Sequence, residues 1–165
     1  MRTRGEDFAV LLGREVQAFQ REIAMFPDDQ SVWKTPEGIT NSAGALARHI
    51  AGNLQHFVGA VLGGSGYARD RDAEFGSRSA TRAELVAELD AALAAVRTVL
   101  PGLPDDVWAR DFPEPVMGHR LPADRFLIHL CAHAAYHLGQ TGYLRRVLTR
   151  DASSSGALPL KTLAE

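Results

Sequence analysis

Six histidines stand in this chain, and five fall in two stretches: His49 and His56 in one, His129, His133 and His137 in the other. At 3.6 residues per turn, side chains four apart differ by only about 40° around a helix, so the last three form a stripe on one face. Any adjacent pair in that stripe can aim two ring nitrogens at a common point. A third imidazole from a facing helix then completes a site for one divalent ion and leaves a coordination position open. His49 is the expected third ligand, because it flanks the apolar stripe of Leu46, Ile50 and Asn53 where a facing helix reaches it. His56 lies about two turns further along nearly the same line. His119 falls in a predicted loop, facing solvent.

The surrounding residue types narrow the chemistry. Neither histidine-bearing segment contains glutamate, which excludes the ligand set of di-iron carboxylate bundles, and the zinc-protease pattern His-Glu-x-x-His is absent. Cys131 is the single cysteine, so no internal disulfide and no Cys-x-x-Cys metal pair exists, and the ligands must be nitrogen or oxygen. Three neutral imidazoles leave the full charge of the ion in place, which lowers the pKa of a coordinated water or thiol. A thiol so activated would attack an electrophilic carbon, whereas water would support hydrolysis. Zinc, nickel, iron and copper all accept imidazole.

Asn53, His56, His129 and Gln140 are candidates to hydrogen-bond the ligands or a substrate. Tyr136, adjacent to His137, points about 100° away on an ideal helix. Arg69 and Arg71 could clamp an anionic thiol, but they alternate with Asp70 and Asp72 and are expected to pair locally on a solvated loop. No acid or base occupies an inner stripe, so the catalytic residues stay unassigned.

Positioning these side chains requires helices, and four segments carry helical apolar spacing. The first covers residues 6–25, with Phe8, Leu12, Phe19 and Ile23 on one face. The second covers 41–62, opening at the N-cap candidates Asn41 and Ser42 and stopped by the glycines from Gly63. Thr81 and Glu84 form a capping-box pattern ahead of Leu85, Leu89, Val96 and Leu100. The fourth covers 122–149, with Pro122 in its first turn and Phe126, Leu130, Ala134, His137, Thr141, Leu144 and Leu148 inside. Arg145, Arg146 and Arg150 suit its C-terminal end, and Trp33 and Trp108 are expected to pack over the bundle ends. Gly52, Gly59, Gly139 and Gly142 each disfavour a helix interior by about 1 kcal/mol and call for a compensating contact. The expectation is an all-α, four-helix bundle in one domain over 1–150, with a flexible C-terminal tail over 151–165.

The stretch His133-Ala-Ala-Tyr-His137-Leu-Gly-Gln140, running on to Tyr143-Leu-Arg145-Arg146, resembles the last helix of the DinB/YfiT-like family of metalloenzymes. Leu46-Ala-Arg-His49-Ile-Ala-Gly-Asn53-Leu is similar to that family's second-helix histidine segment, and the likeness extends over about residues 40–146. The resemblance implies that His49, His133 and His137 are the three metal ligands. It also implies an up-down-down-up helix order, a homodimer, and metal-dependent thiol S-transfer with a low-molecular-weight thiol. The competing readings are a non-enzymatic metal-binding or stress-response bundle, and a metal-free interaction module whose histidines are structural.

Composition bounds the partners. A net charge of −2 supplies no field for nucleic acid or an anionic membrane. No apolar run approaches the roughly 18 to 20 residues that cross a bilayer, and Glu6 and Asp7 interrupt any secretory signal. A cytoplasmic protein acting on a small molecule, with one divalent ion (zinc, nickel or iron), is the expectation.

Overall fold

Each long helix except the last begins where a side chain takes up free N–H groups of its first turn. The computed structural model describes residues 2–156 and 160–163, and among them every regular element is a helix, with two isolated β-bridges besides. Helix α1 (Arg4–Ala24) starts from a capping box in which Thr3 Oγ1 accepts from the Glu6 N–H and Glu6 Oε2 accepts from the Thr3 N–H. Ser42 caps α2 (Ala43–Leu54), its hydroxyl accepting from the Ala45 N–H at 3.2 Å. A short α3 (Arg71–Gly76) is capped by Asp70, and α4 (Arg82–Val99) repeats the capping box with Thr81 and Glu84. Pro122 stands at the N-cap of α5 (Ala123–Thr149), one position ahead of the first turn where the spacing placed it.

Helix α1 packs against α4 and α5, α2 packs against the same two, and α1 and α2 make little contact, so they stand diagonally across the bundle. Leu12, Phe19 and Ile23 meet Leu46, Ile50, Leu85, Leu89, Val96, Phe126 and Leu130 in one buried core. The apolar spacing of all four long segments therefore faces inward as expected, and the all-α fold class stands. Trp33 lies across the start of α2 and donates from Nε1 to the Ala80 carbonyl, while Trp108 packs on Phe8 with ring centroids 5.5 Å apart.

Three features depart from the sequence reading. Residues 41–62 are α-helical only to Leu54, and Gln55–Leu62 continues as π-helix. Gly59 and Gly63 bring this stretch hard against α4: a Cβ added at Gly59 would lie 3.3 Å from Ala95 Cβ, and one at Gly63 only 2.4 Å from a Val99 methyl.

The segment 69–75, read as a solvated loop with local ion pairs, contains α3 instead. Its Arg69 pairs with the buried Glu74 rather than with Asp70 or Asp72. Asp70 is engaged as the N-cap, which takes it out of the alternation that suggested local bridges.

Arg145, expected as a charge at the helix end, is fully buried. Its Nε donates to Glu22 Oε2 at 2.6 Å, and its guanidinium also reaches the carbonyls of Asp151 and Ser153. Ser155 Oγ donates to Glu22 Oε1, and Arg21 donates to the Ser155 and Gly156 carbonyls. Residues 151–156 of the expected tail thus make specific hydrogen bonds to α1 and α5. Residues 157–159 and 164–165 lie outside the described residues.

Removing one member of a buried ion pair leaves the other charge stranded, which destabilises by about 3–5 kcal/mol. Glu22→Ala is expected to lower stability by that order in urea titrations. A Glu22→Leu/Arg145→Met double variant, with neither charge present, should recover much of the loss.

Candidate metal centre

Helices α2 and α5 meet where His49 and His133 face each other. His49 is buried, and His133 and His137 are half-buried one turn apart on α5. The His49 and His133 Nε2 atoms are 3.3 Å apart, and those of His137 and His133 are 3.0 Å apart. Their rings stand nearly perpendicular, at 86° and 81°, so the nitrogens converge on one point rather than stacking. One ring nitrogen from each of the three histidines lies within 4.8 Å of the others, a grouping that could hold a metal ion.

The opposite edges of two of these rings decide which nitrogen carries the proton. His49 Nδ1 lies 2.9 Å from Glu74 Oε2, and His137 Nδ1 lies 2.7 Å from Gln140 Oε1. A carboxylate and an amide oxygen only accept, so both Nδ1 atoms must donate. Arg69 Nη2 also comes within 3.3 Å of His49 Nδ1, but its own 2.8 Å bond to Glu74 Oε2 accounts for that approach. The neutral rings of His49 and His137 therefore both present Nε2 lone pairs to His133. A single proton on His133 Nε2 can satisfy one of them and leaves the other facing it uncompensated.

Burial and the neighbouring rings of His137 and His49 push the His133 pKa down to about 3, and burial lowers that of His137 despite the hydrogen bond to Gln140. Burial alone would raise the Glu74 carboxyl, yet hydrogen bonds from His49 and Arg69 outweigh it and hold the group below its ordinary value. At neutral pH His133 and His137 are thus uncharged imidazoles, and the Glu74 carboxylate behind His49 is ionised.

The remaining sequence candidates fall in different places. Gln140 contacts a triad member directly. His129 is exposed and stacks on His133 at 5.6 Å without joining the convergence. His56 bonds Glu114 Oε1 through Nε2 at 2.8 Å, away from the triad. Asn53 is buried one turn along α2 from His49, its Oδ1 without a partner among the described residues. Tyr136 points outward, 63% exposed. Arg71 lies over the Phe75 ring, and Phe75 in turn packs 4.9 Å from the His49 ring. Glu74 lies in the 69–75 segment to which the sequence assigned no site role, because its six-residue helix is too short for apolar periodicity to register. The signal present was Asp70, an N-cap residue followed by acids in the first turn.

In the metal-free protein, a histidine whose pKa falls from 6.5 unfolded to about 3 folded leaves the unfolded chain binding more protons between those values. Stability should therefore decline as pH drops through that window. His133→Asn is expected to flatten the decline, as read from urea titrations at pH 7 and 4.5.

A family model described as the DinB superfamily matches residues 12–141, a span that includes His49, Glu74, His133, His137 and Gln140. Comparison with curated proteins gives no match. The match covers most of the chain and the whole of the histidine cluster, and the protein belongs to the DinB superfamily.

Proposed function

We propose that His49, His133 and His137 hold one divalent metal ion, and that the site serves transfer chemistry with a low-molecular-weight thiol. The observation that carries the metal assignment is the convergence of the three Nε2 atoms. Imidazole nitrogens 2.0–2.1 Å from a tetrahedral ion stand roughly 3.3–3.4 Å apart, and the spacings of 3.3 and 3.0 Å approach this. A cation at that point also relieves the facing lone pairs. Zinc, nickel or iron bound there would act as a Lewis acid toward a coordinated thiol or water.

The chain's own residues support a thiol reading over hydrolysis. Glu74, the carboxylate bonded to the triad, has both oxygens engaged by Arg69 and is not free to move protons for a water. A thiol starts from a pKa of about 8.5 against about 15.7 for water, so on the ion it depends less on such a base. Gln140 also borders a groove of about 560 Å³ between the 36–41 segment and α5, with Ile39, Leu46, Tyr143 and Leu144 in its walls and no charged side chain. Its size suits a small, uncharged portion of a substrate. No helix among the described residues is long and apolar enough to cross a membrane.

A homodimer is proposed on a separate observation. Ile128, Tyr136, Tyr143 and Val147 are 59–75% exposed, and with Ala132 and Gly139 they make one stripe along α5. Antiparallel pairing of two copies sets Tyr136 opposite Gly139, Tyr143 opposite Ala132 and Ile128 opposite Val147, so that a two-fold contact seats each tyrosine against a small residue. The partner would then form one wall of the groove.

Elemental analysis of untagged protein supplied with zinc, nickel or iron should give about one ion per chain, lost in His137→Ala with helix content retained. A thiol-dependent activity screen on the loaded protein then separates an enzyme from a non-enzymatic metal binder; no ion in any sample favours the interaction module. Sedimentation should show a dimer that Tyr136→Glu converts to monomer.

A further inference from the structure

The triad leans on a support that lies outside both histidine helices. Glu74 is 5% exposed and comes from α3, the six-residue helix fixed by its Asp70 cap. Arg69 grips it with two parallel bonds, Nε to Oε1 at 2.6 Å and Nη2 to Oε2 at 2.8 Å. The guanidinium in turn sits over the Phe57 ring, 5.8 Å from its centroid, and Phe57 is anchored among Phe112 and Phe126. With both oxygens taken by Arg69, the carboxylate has its remaining direction free for His49 Nδ1.

Gly52 makes this approach possible. It lies three residues after His49 inside α2, and a Cβ added there would stand 2.3 Å from Glu74 Oε1 and 3.1 Å from its carboxyl carbon. Of the atoms near that Cβ, the Glu74 carboxylate is the one that must yield. The glycine inside this helix is thus compensated by the passage it opens for a carboxylate coming from α3.

We propose that Glu74, clamped by Arg69 and admitted by Gly52, is a positioning residue: it fixes the His49 proton on Nδ1 and turns the Nε2 lone pair toward His133 and His137. This rests on the reading of the three histidines as a metal site and assigns the part that orients the ligand contributed by α2. The two-point grip of Arg69 has a second effect. It keeps the carboxylate from swinging in as a fourth ligand, so the remaining coordination position stays open to an exogenous group. A histidine ligand without such a partner populates both tautomers, and the one protonated on Nε2 cannot bind.

The test uses the full chain with ¹⁵N-labelled imidazoles and two variants. Glu74→Gln is nearly isosteric, but its amide NH₂ can donate to Nδ1 and so favours the wrong tautomer. Gly52→Ala keeps the Glu74 side chain but pushes its carboxylate off His49, and the gain in helix propensity supports folding of α2 independently of the first variant. Long-range ¹⁵N–¹H correlation spectra of the metal-free proteins should show His49 as the Nδ1–H tautomer in wild type and a shift toward Nε2–H in both variants. Zinc affinity, from competition with a chromophoric chelator, should fall about 10–100-fold in each. An unchanged His49 tautomer with zinc affinity within about twofold of wild type in either folded variant would overturn the role of Glu74. Failure of the wild type to bind zinc would instead sink the metal reading, and the tautomer shift alone would then decide whether Glu74 positions His49.

Discussion

Lone pairs that face one another across 3 Å repel unless a proton or a cation stands between them, and the interior of this bundle gathers more of them than its protons can serve. His49 and His137 each spend their N–H on a fixed acceptor, Glu74 in one case and Gln140 in the other. Both then turn their remaining nitrogen toward His133. The arrangement is poor as a purely structural network, because one lone pair is always left over. It is well suited to an ion that accepts three nitrogen donors at once. The positions of α2, α3 and α5 relative to each other can be understood as the means of bringing these groups to that separation.

The rest of the bundle keeps those helices in place. Helix α1 contacts the two helices that flank α2, and its Glu22 is joined to the buried Arg145 near the far end of α5. That pair also collects the chain leaving α5, through the carbonyls of Asp151 and Ser153 and the hydroxyl of Ser155. The buried guanidinium donates to these carbonyls as well as to Glu22, so the pair ties the chain leaving α5 to α1 as well as neutralising charge. Glycines of α2 and of its π-helical continuation act at the other side, where Gly59 and Gly63 allow close contact with α4 and Gly52 admits Glu74. Gly139 has open space around it, and no packing contact accounts for it.

DinB superfamily membership and the geometry of the cluster point the same way by independent routes. The family match spans the residues that form the cluster, while the proton count at the three imidazoles depends only on distances within this chain. The ionised Glu74 is held against Arg69 and His49 together, so the cluster carries its own fixed counter-charge close to the proposed ion. Phe75 shields the His49 ring on the same side. The groove bordered by Gln140 has no charged side chain in its lining.

Local patterns determined a great deal of this protein. Helix starts at Ser42 and Thr81 follow from caps that bind backbone within three residues, and the inward faces of all four long helices follow from a period of 3.6. The pairing of His133 with His137 is equally local, since one turn of helix brings them together. His49 could be nominated because it flanks an apolar stripe. What the tertiary structure alone decided is whatever depends on residues far apart in sequence and too few to form a pattern. Glu74 reaches His49 across 25 positions, and Arg145 reaches Glu22 across 123. His56 turns to Glu114 instead of the triad, and that partner lies 58 positions away, beyond what composition reveals. A charged side chain reads as solvated in a one-dimensional pattern, and only the packed chain shows which charges have been drawn inside and paired.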